Sequence, residues 1–366
     1  MHSTPTSSGT RLSALDGLRF FAFLLVFFSH MPENKETTIL FGLHHYGWVG
    51  VEIFFVISAF LFFYRFNAEI HATGSINIKS FYTRRFLRIY PLLIAYLLMI
   101  STTYYSLLKN DALLRFFGII MCIDNFIAWF RGYNLSIPYS GHLWSLSFEF
   151  QIYAIIPFAF MAFVHYGRKK FLVSILSIYL FCFLLRMIFT GAGATHPLVW
   201  VTPFLRPESV LIGVMLAAGY FSYIPHWALG LLAVAAGITF FSTPTPWADW
   251  HGASASYPLA AIMCGSLVGL SLKWNFFSNL LSWRPIRYLG SISYGLYILH
   301  FLGIGLAARA INLIGYDISV HISGYLYCVL FFTSLFITIA MATLSYYAIE
   351  RPFLQLKVRF PVRARN

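Results

Sequence analysis

The stretch LDGLRFFAFLLVFFSH, residues 15–30, decides how the rest of the chain is read. Between Arg19 and His30 the run Phe20–Phe28 holds nine apolar residues without a break. An α-helix turns about 100° and rises about 1.5 Å per residue. His30 therefore lies roughly 20° past three full turns from Arg19, on the same face and about 16 Å further along the axis. Ionisable groups inside an apolar span are costly, so such a pair points to function before packing.

Working outward, the 366-residue chain is 59% hydrophobic and only 10% charged, with mean hydropathy +0.73. A soluble domain carries about 25% charge, so this composition is that of a polytopic membrane protein. Runs apolar and long enough to cross a hydrocarbon core of about 30 Å fall at 12–31, 42–64, 86–108, 143–165, 171–190, 204–222, 228–243, 257–272, 288–310 and 324–349. The fold class expected is all-α, a polytopic membrane helix bundle of about ten transmembrane helices. Residues 112–130 are apolar but carry Arg115 and Asp124; they read as a re-entrant or interfacial segment, with an eleventh crossing as the alternative. Residues 1–11, polar and Ser/Thr-rich, read as a disordered cytoplasmic N-terminus, 12–350 as the transmembrane domain, and 351–366 as a basic cytoplasmic tail. A cleaved signal peptide fits poorly, because no small-residue cleavage site follows Phe28. The four cysteines, Cys122, Cys182, Cys264 and Cys328, stand apart in apolar stretches and suggest buried, inert thiols rather than disulfides or a metal site.

Basic residues orient the bundle. With the N-terminus inside, seventeen lysines and arginines fall on the inner side, against Lys35, Lys109, Arg115, Arg131 and Arg309 outside. That is the positive-inside pattern, with both termini cytoplasmic. It also accounts for the net charge of +13 without a nucleic-acid partner.

Polar residues remain within or at the edges of the spans: Asp16, Arg19, His30, Glu52, His142, Glu149, Arg186, Arg206, Glu208 and His300. Mutual neutralisation, for instance of Arg206 by Glu52 or Glu149, accounts for some of them; so large a set exceeds what packing needs. In GHLWSLSFEFQIY, residues 141–153, His142, Ser145, Glu149 and Tyr153 share one helix face. Trp144 is expected at the outer interface. In SISYGLYILHF, residues 291–301, Ser293, Tyr297 and His300 form a second stripe. Together with the Arg19–His30 face, these stripes outline the wall of a polar cavity. Arg85 and Arg88, at i and i+3 ahead of Pro91, suit a phosphate clamp or serve as topogenic charges. No Gly-rich phosphate loop, HExxH, CxxC or GxSxG occurs, so no metal is expected. A histidine in such a cavity can take a proton from a hydroxyl, and an arginine can stabilise an oxyanion or hold phosphates. These residues alone leave acyl transfer and proton-coupled transport equally open.

The motifs resemble the acyltransferase-3 family of membrane, acyl-CoA-dependent O-acyltransferases. LDGLRFFAFLLVFFSH is similar to that family's opening helix, whose signature of Arg, ten residues and His maps onto Arg19 and His30. GVEIFFVISAFLFF (50–63) resembles its second helix, with Glu52 at the acidic position and Ala59 where Gly is commoner. RRFLRIYP (84–91), LWSLSFEFQIYAIIP (143–157), ISYGLYILHF (292–301) and IERPF (349–353) complete the series in order, nearly the length of the chain. Phe150 stands where a second Glu is frequent, and in FLRPESVLIG the acidic Glu208 comes one position early relative to Gly213.

The resemblance implies a bacterial cytoplasmic-membrane O-acyltransferase. Its co-substrate would be acyl-CoA, most often acetyl-CoA, and its acceptor a hydroxyl of a carbohydrate or lipid-linked glycan such as O-antigen, capsule or exopolysaccharide. Under it His30 is the general base and Arg19 orients the donor. Arg85 and Arg88 hold the phosphates of coenzyme A, and Glu149 orients a histidine or binds the acceptor. Glu52, His142, Trp144, Arg206, Glu208, Tyr297 and His300 contact substrate or support the site. The Arg19–His30 face would line a route for the acyl group. A fused SGNH hydrolase-like domain is not expected, since the chain ends soon after IERPF. The alternative is a proton-coupled transporter, or a polysaccharide or lipid exporter, using the same buried groups.

Overall fold

The structure, a computed structural model, describes residues 6–33, 38–108, 110–132, 136–194, 196–316 and 323–356. Among these the fold is helical throughout. In chain order the helices are α1 (Thr6–His30), α2 (Thr38–Tyr46), α3 (Val49–Thr73), α4 (Ile78–Thr103), α5 (Ala112–Ile120), α6 (Asp124–Arg131), α7 (Trp144–Gly191) and α8 (Leu198–Val201). They continue with α9 (Glu208–Ala217), α10 (His226–Ser242), α11 (Trp250–Lys273), α12 (Asn275–Leu281), α13 (Arg284–Ser291), α14 (Ser293–Leu313), α15 (Gly324–Ser345) and α16 (Arg351–Gln355).

Among the described residues, seven segments are long and apolar enough to cross a membrane, and α9 and α10 are shorter apolar helices. One of the seven holds two crossings: α7 breaks at Gly167, whose φ of 73° and ψ of 168° lie outside the helical region and suit a residue without Cβ. The expected spans at 143–165 and 171–190 are the two halves of this element. Ten apolar segments result, an integral membrane bundle. α9 spans only about 15 Å, less than the expected span at 204–222, because Arg206 and Pro207 stand ahead of its first turn and Gly219 (φ 78°) ends it. Residues 112–130 form the short pair α5 and α6. Buried Arg115 and Asp124 meet there at 2.9 Å, so the two charges that interrupt the run neutralise each other. Burial pushes the Asp124 carboxyl up to about 6 while Arg115 pulls it down.

The N-terminal boundary differs from the reading of residues 1–11 as disordered. α1 starts at Thr6, since a helix nucleated by an apolar span propagates cheaply into neighbouring polar residues. Residues 1–5 and most of the basic tail, 357–366, lie outside the described residues. Of the cysteines, Cys122, Cys182 and Cys264 are buried, but Cys328 is exposed on α15, contrary to expectation.

α1 stands between two apolar cores. Leu18, Ala22 and Val26 join α3, α7 and α11 in one, while Phe23 and Phe27 join α4, α14 and α15 in the other. The start of α1 is pinned by α12 and α13. Gly290 of α13 presses on the backbone oxygen of Asp16, where any Cβ would clash, and Ser13 and Ser282 share a hydrogen bond of 2.9 Å. Close backbone approach at small residues is how membrane helices associate without a hydrophobic drive between them. On the same end, Lys273 Nζ donates to the backbone oxygens of Phe221, Ser222 and Ile224 at 2.6–2.8 Å. At α3's end Gly74 takes the left-handed C-cap, and Asn77 caps α4 through Ser80 N–H. That tight turn sets Arg65 beside Arg85 and Arg88.

Candidate active site

A cavity of about 350 Å³ opens at that end of the bundle, between α1, α3, α4, α7 and α14. Its charged lining is four guanidiniums, Arg19, Arg65, Arg85 and Arg88, against two carboxylates, Asp16 and Glu149. Each carboxylate is engaged: Asp16 pairs with Arg19 at 2.5 Å, and Glu149 accepts from Ser58 Oγ at 2.7 Å. Arg85 lies 4.7 Å over the Phe62 ring, and its buried Nε has no hydrogen-bond partner. An excess of positive charge, with a buried donor left open, suits an anion of several charges. The volume falls in the range of small-molecule sites.

The deep end is closed by two hydroxyls. Tyr297 OH lies 2.5 Å from Ser145 Oγ, and both reach the backbone oxygen of His142, at 3.2 and 3.0 Å. Beyond them, outside the cavity lining, stand three histidines. His30 Nδ1 lies 2.9 Å from His300 Nε2. His300 Nδ1 lies 2.6 Å from the Tyr297 oxygen. His142 Nε2 lies 3.1 Å from the Ile298 oxygen, and its ring stacks on Phe301. The loop leading to His142 is constrained: Tyr139 has φ 57°, and Tyr96 OH holds its carbonyl at 2.7 Å. Sparsely populated backbone of this kind clusters near functional sites.

Both polar stripes run from cavity to histidines. On α7, Ser145, Glu149 and Tyr153 line the cavity, and His142 lies just beyond its closed end. On α14, Ser293 and Tyr297 line it, and His300 lies beyond. Arg19 and His30 are not brought together: Arg19 is in the cavity, and His30 is in the cluster at the other end of α1. Only Asp16 and Arg19 of α1 line the cavity, which runs between α3, α7 and α14. Among the described residues the Arg19–His30 face is packed rather than lined by this cavity, contrary to the expected open route, because Phe23 and Phe27 of α1 lie against His300 of α14.

Glu52, Trp144, Arg206 and Glu208 belong to a different, buried cluster. Arg206 pairs with Glu52 at 2.7 Å, and Glu52 also accepts from Ser209 Oγ at 2.6 Å. Arg186 pairs with Glu208 at 2.7 Å. The Arg206 guanidinium sits 4.1 Å from the Trp200 ring centre and 5.4 Å from that of Trp144. Trp144 is thus buried against a cation rather than at the outer interface, since a desolvated guanidinium gains from an aromatic face. Glu208, early by one position in the sequence pattern, has its partner in Arg186 of α7.

Sequence reasoning counted Arg65 among topogenic charges and overlooked Ser58 and Tyr294, both of which line the cavity. Ser58 and Arg65 are seven apart on α3, one face of two turns, which is the signal that could have found them. Among the described residues no group of three or more His, Cys, Asp or Glu side chains is arranged to hold a metal ion.

Compared with known proteins, residues 12–347 match the family described as acyltransferase domain. A protein of Staphylococcus aureus strain COL, provisionally named an O-acetyltransferase, is 26% identical over 93% of this chain and 57% of its own length. A Bacillus subtilis strain 168 protein, provisionally named a peptidoglycan O-acetyltransferase, is 27% identical over 93% of this chain and 54% of its own. The peptidoglycan O-acetyltransferase of Listeria monocytogenes EGD-e is 25% identical over 82% of this chain and 50% of its own. The chain spans about half the length of the curated relatives it matches. No solved structure matches it.

Proposed function

The chain belongs to the acyltransferase-3 family, and from that premise we propose that it is a membrane O-acetyltransferase. It takes an acetyl group from acetyl-CoA on the cytoplasmic side and passes it to a hydroxyl of a cell-surface glycan. O-antigen, capsule and exopolysaccharide are candidate acceptors, and the names of two relatives add peptidoglycan to that class. The observation that carries the reading is the cavity. Its four arginines meet only two carboxylates, and its closed end abuts the histidine cluster. A nucleotide phosphate matches that charge, and the positive-inside pattern of the loops supports a mouth facing the cytoplasm, the compartment that holds CoA. The buried pairs Glu52–Arg206 and Arg186–Glu208 match charges that a transporter would use as a relay.

In this reading Arg65, Arg85 and Arg88 hold the phosphates, and Arg19 steers the thioester. The acceptor hydroxyl comes to the histidine end, where His30 takes its proton as the C–O bond forms and the thioester C–S bond breaks. The proton then passes to the departing thiolate. Ser145 and Tyr297 stand between donor and acceptor and part in the reactive complex. General-base catalysis is worth about 10²–10⁴-fold. Replacing His30→Ala should therefore remove O-acetyl signals from the NMR spectrum of host surface glycans while the protein still accumulates in the membrane. Undiminished O-acetylation would overturn the assignment of the base.

A further inference from the structure

The hydrogen-bond chain through the histidine cluster has a direction. A carbonyl oxygen only accepts, so His300 Nδ1, 2.6 Å from the Tyr297 oxygen, carries the hydrogen. In the neutral ring Nε2 is then an acceptor. It lies 2.9 Å from His30 Nδ1, which must donate. His30 Nε2 is left with its lone pair. His142 does not compete, because its own Nε2 is directed at the Ile298 oxygen. His300 is fully buried, its ring 6.1 Å from Phe23 and 6.4 Å from Phe27, so these neighbours hold its orientation.

We propose that His300 is a positioning residue that holds His30 in the Nδ1–H tautomer, making Nε2 the atom that takes the acceptor's proton. The proposal rests on His30 being the base. During transfer the hydroxyl proton moves to His30 Nε2 as the C–O bond forms and the C–S bond breaks. The imidazolium keeps its Nδ1–H bond to His300, and the proton leaves on the thiolate, so His300 ends the turnover unchanged. Outer partners that fix the tautomer of metal-bound histidines are worth about 10- to 100-fold, and the same scale is expected here.

The test uses membrane vesicles carrying the full chain and the host's own glycan, with radiolabelled acetyl-CoA as the probe. His300→Gln offers an amide oxygen as a replacement acceptor; His300→Leu fills the site without one. His300→Leu should lower the maximal rate about 10- to 100-fold with KM for acetyl-CoA unchanged, and His300→Gln should recover most of it. In the unaltered protein, ¹⁵N-histidine NMR in detergent, with His30 assigned by its loss in His30→Ala, should show the proton on Nδ1. Full activity in His300→Leu, no recovery in His300→Gln, or a proton on His30 Nε2 would each overturn the proposal. If both variants fail to fold, the NMR tautomer decides. If His30→Ala stays active, the base assignment falls, and with it the catalytic role of His300, whatever tautomer the NMR finds.

Discussion

Arg65 at the cavity mouth and Arg85 and Arg88 further in divide by how far sequence reaches. Arg85 and Arg88 share a face by helical spacing alone, so their pairing on one wall was legible. Arg65 joins them only through the turn at Gly74 and Asn77, whose geometry no periodicity reveals. A charge-assisted hydrogen bond is worth about 1.5–3 kcal/mol, and exposure at the mouth puts Arg65 near the lower figure. Arg65→Ala is expected to weaken acetyl-CoA binding about tenfold, and Arg85→Ala with Arg88→Ala by more, read as a thermal-shift titration of the detergent-solubilised protein. Unchanged affinity would return all three to a topogenic role. The contact between His30 and His300 joins residues 270 apart; each was noticed as a polar intruder in a span, but nothing local said they touch.

Among elements, the helices and the two polar stripes of α7 and α14 were readable because apolar runs and the 3.6-residue repeat are local properties. The depth at which each stripe ends was not, since it depends on how α14 slides against α1. Mutual neutralisation of Arg206 by Glu52 was foreseen as one option of two. Its geometry also explains why α3, α7, α9 and α11 stay together in a medium that supplies no hydrophobic force between helices. Removing one partner of a buried ion pair costs about 3–5 kcal/mol, whereas replacing both is often neutral. Arg206→Met should therefore lower the melting temperature in detergent sharply, and Arg206→Met with Glu52→Gln should recover much of the loss. Equal melting of the single variant and the parent would deny the pair a structural role.

For the molecule as a whole, charge asymmetry gives an orientation that labelling can check. In a background with Cys328→Ser, a membrane-impermeant maleimide should reach Ala248→Cys in intact cells and Ser75→Cys only after lysis, both positions being exposed. The reverse pattern would invert the bundle. The hydroxyl pair closing the cavity has a bioenergetic consequence. Ser145 and Tyr297, 2.5 Å apart, separate a polar hollow on one side from a partly exposed histidine on the other. A cell that stores energy as a proton gradient cannot tolerate a continuous water file there, so this pair is expected to act as electrical insulation. Tyr297→Gly in proteoliposomes should let an imposed pH gradient decay, followed with a trapped pH-sensitive dye, while Tyr297→Phe should hold it; equal decay rates would show that the seal lies elsewhere. Under the proposed reaction, opening the pair with only one substrate bound would let protons leak, so its parting is expected to require both donor and acceptor in place.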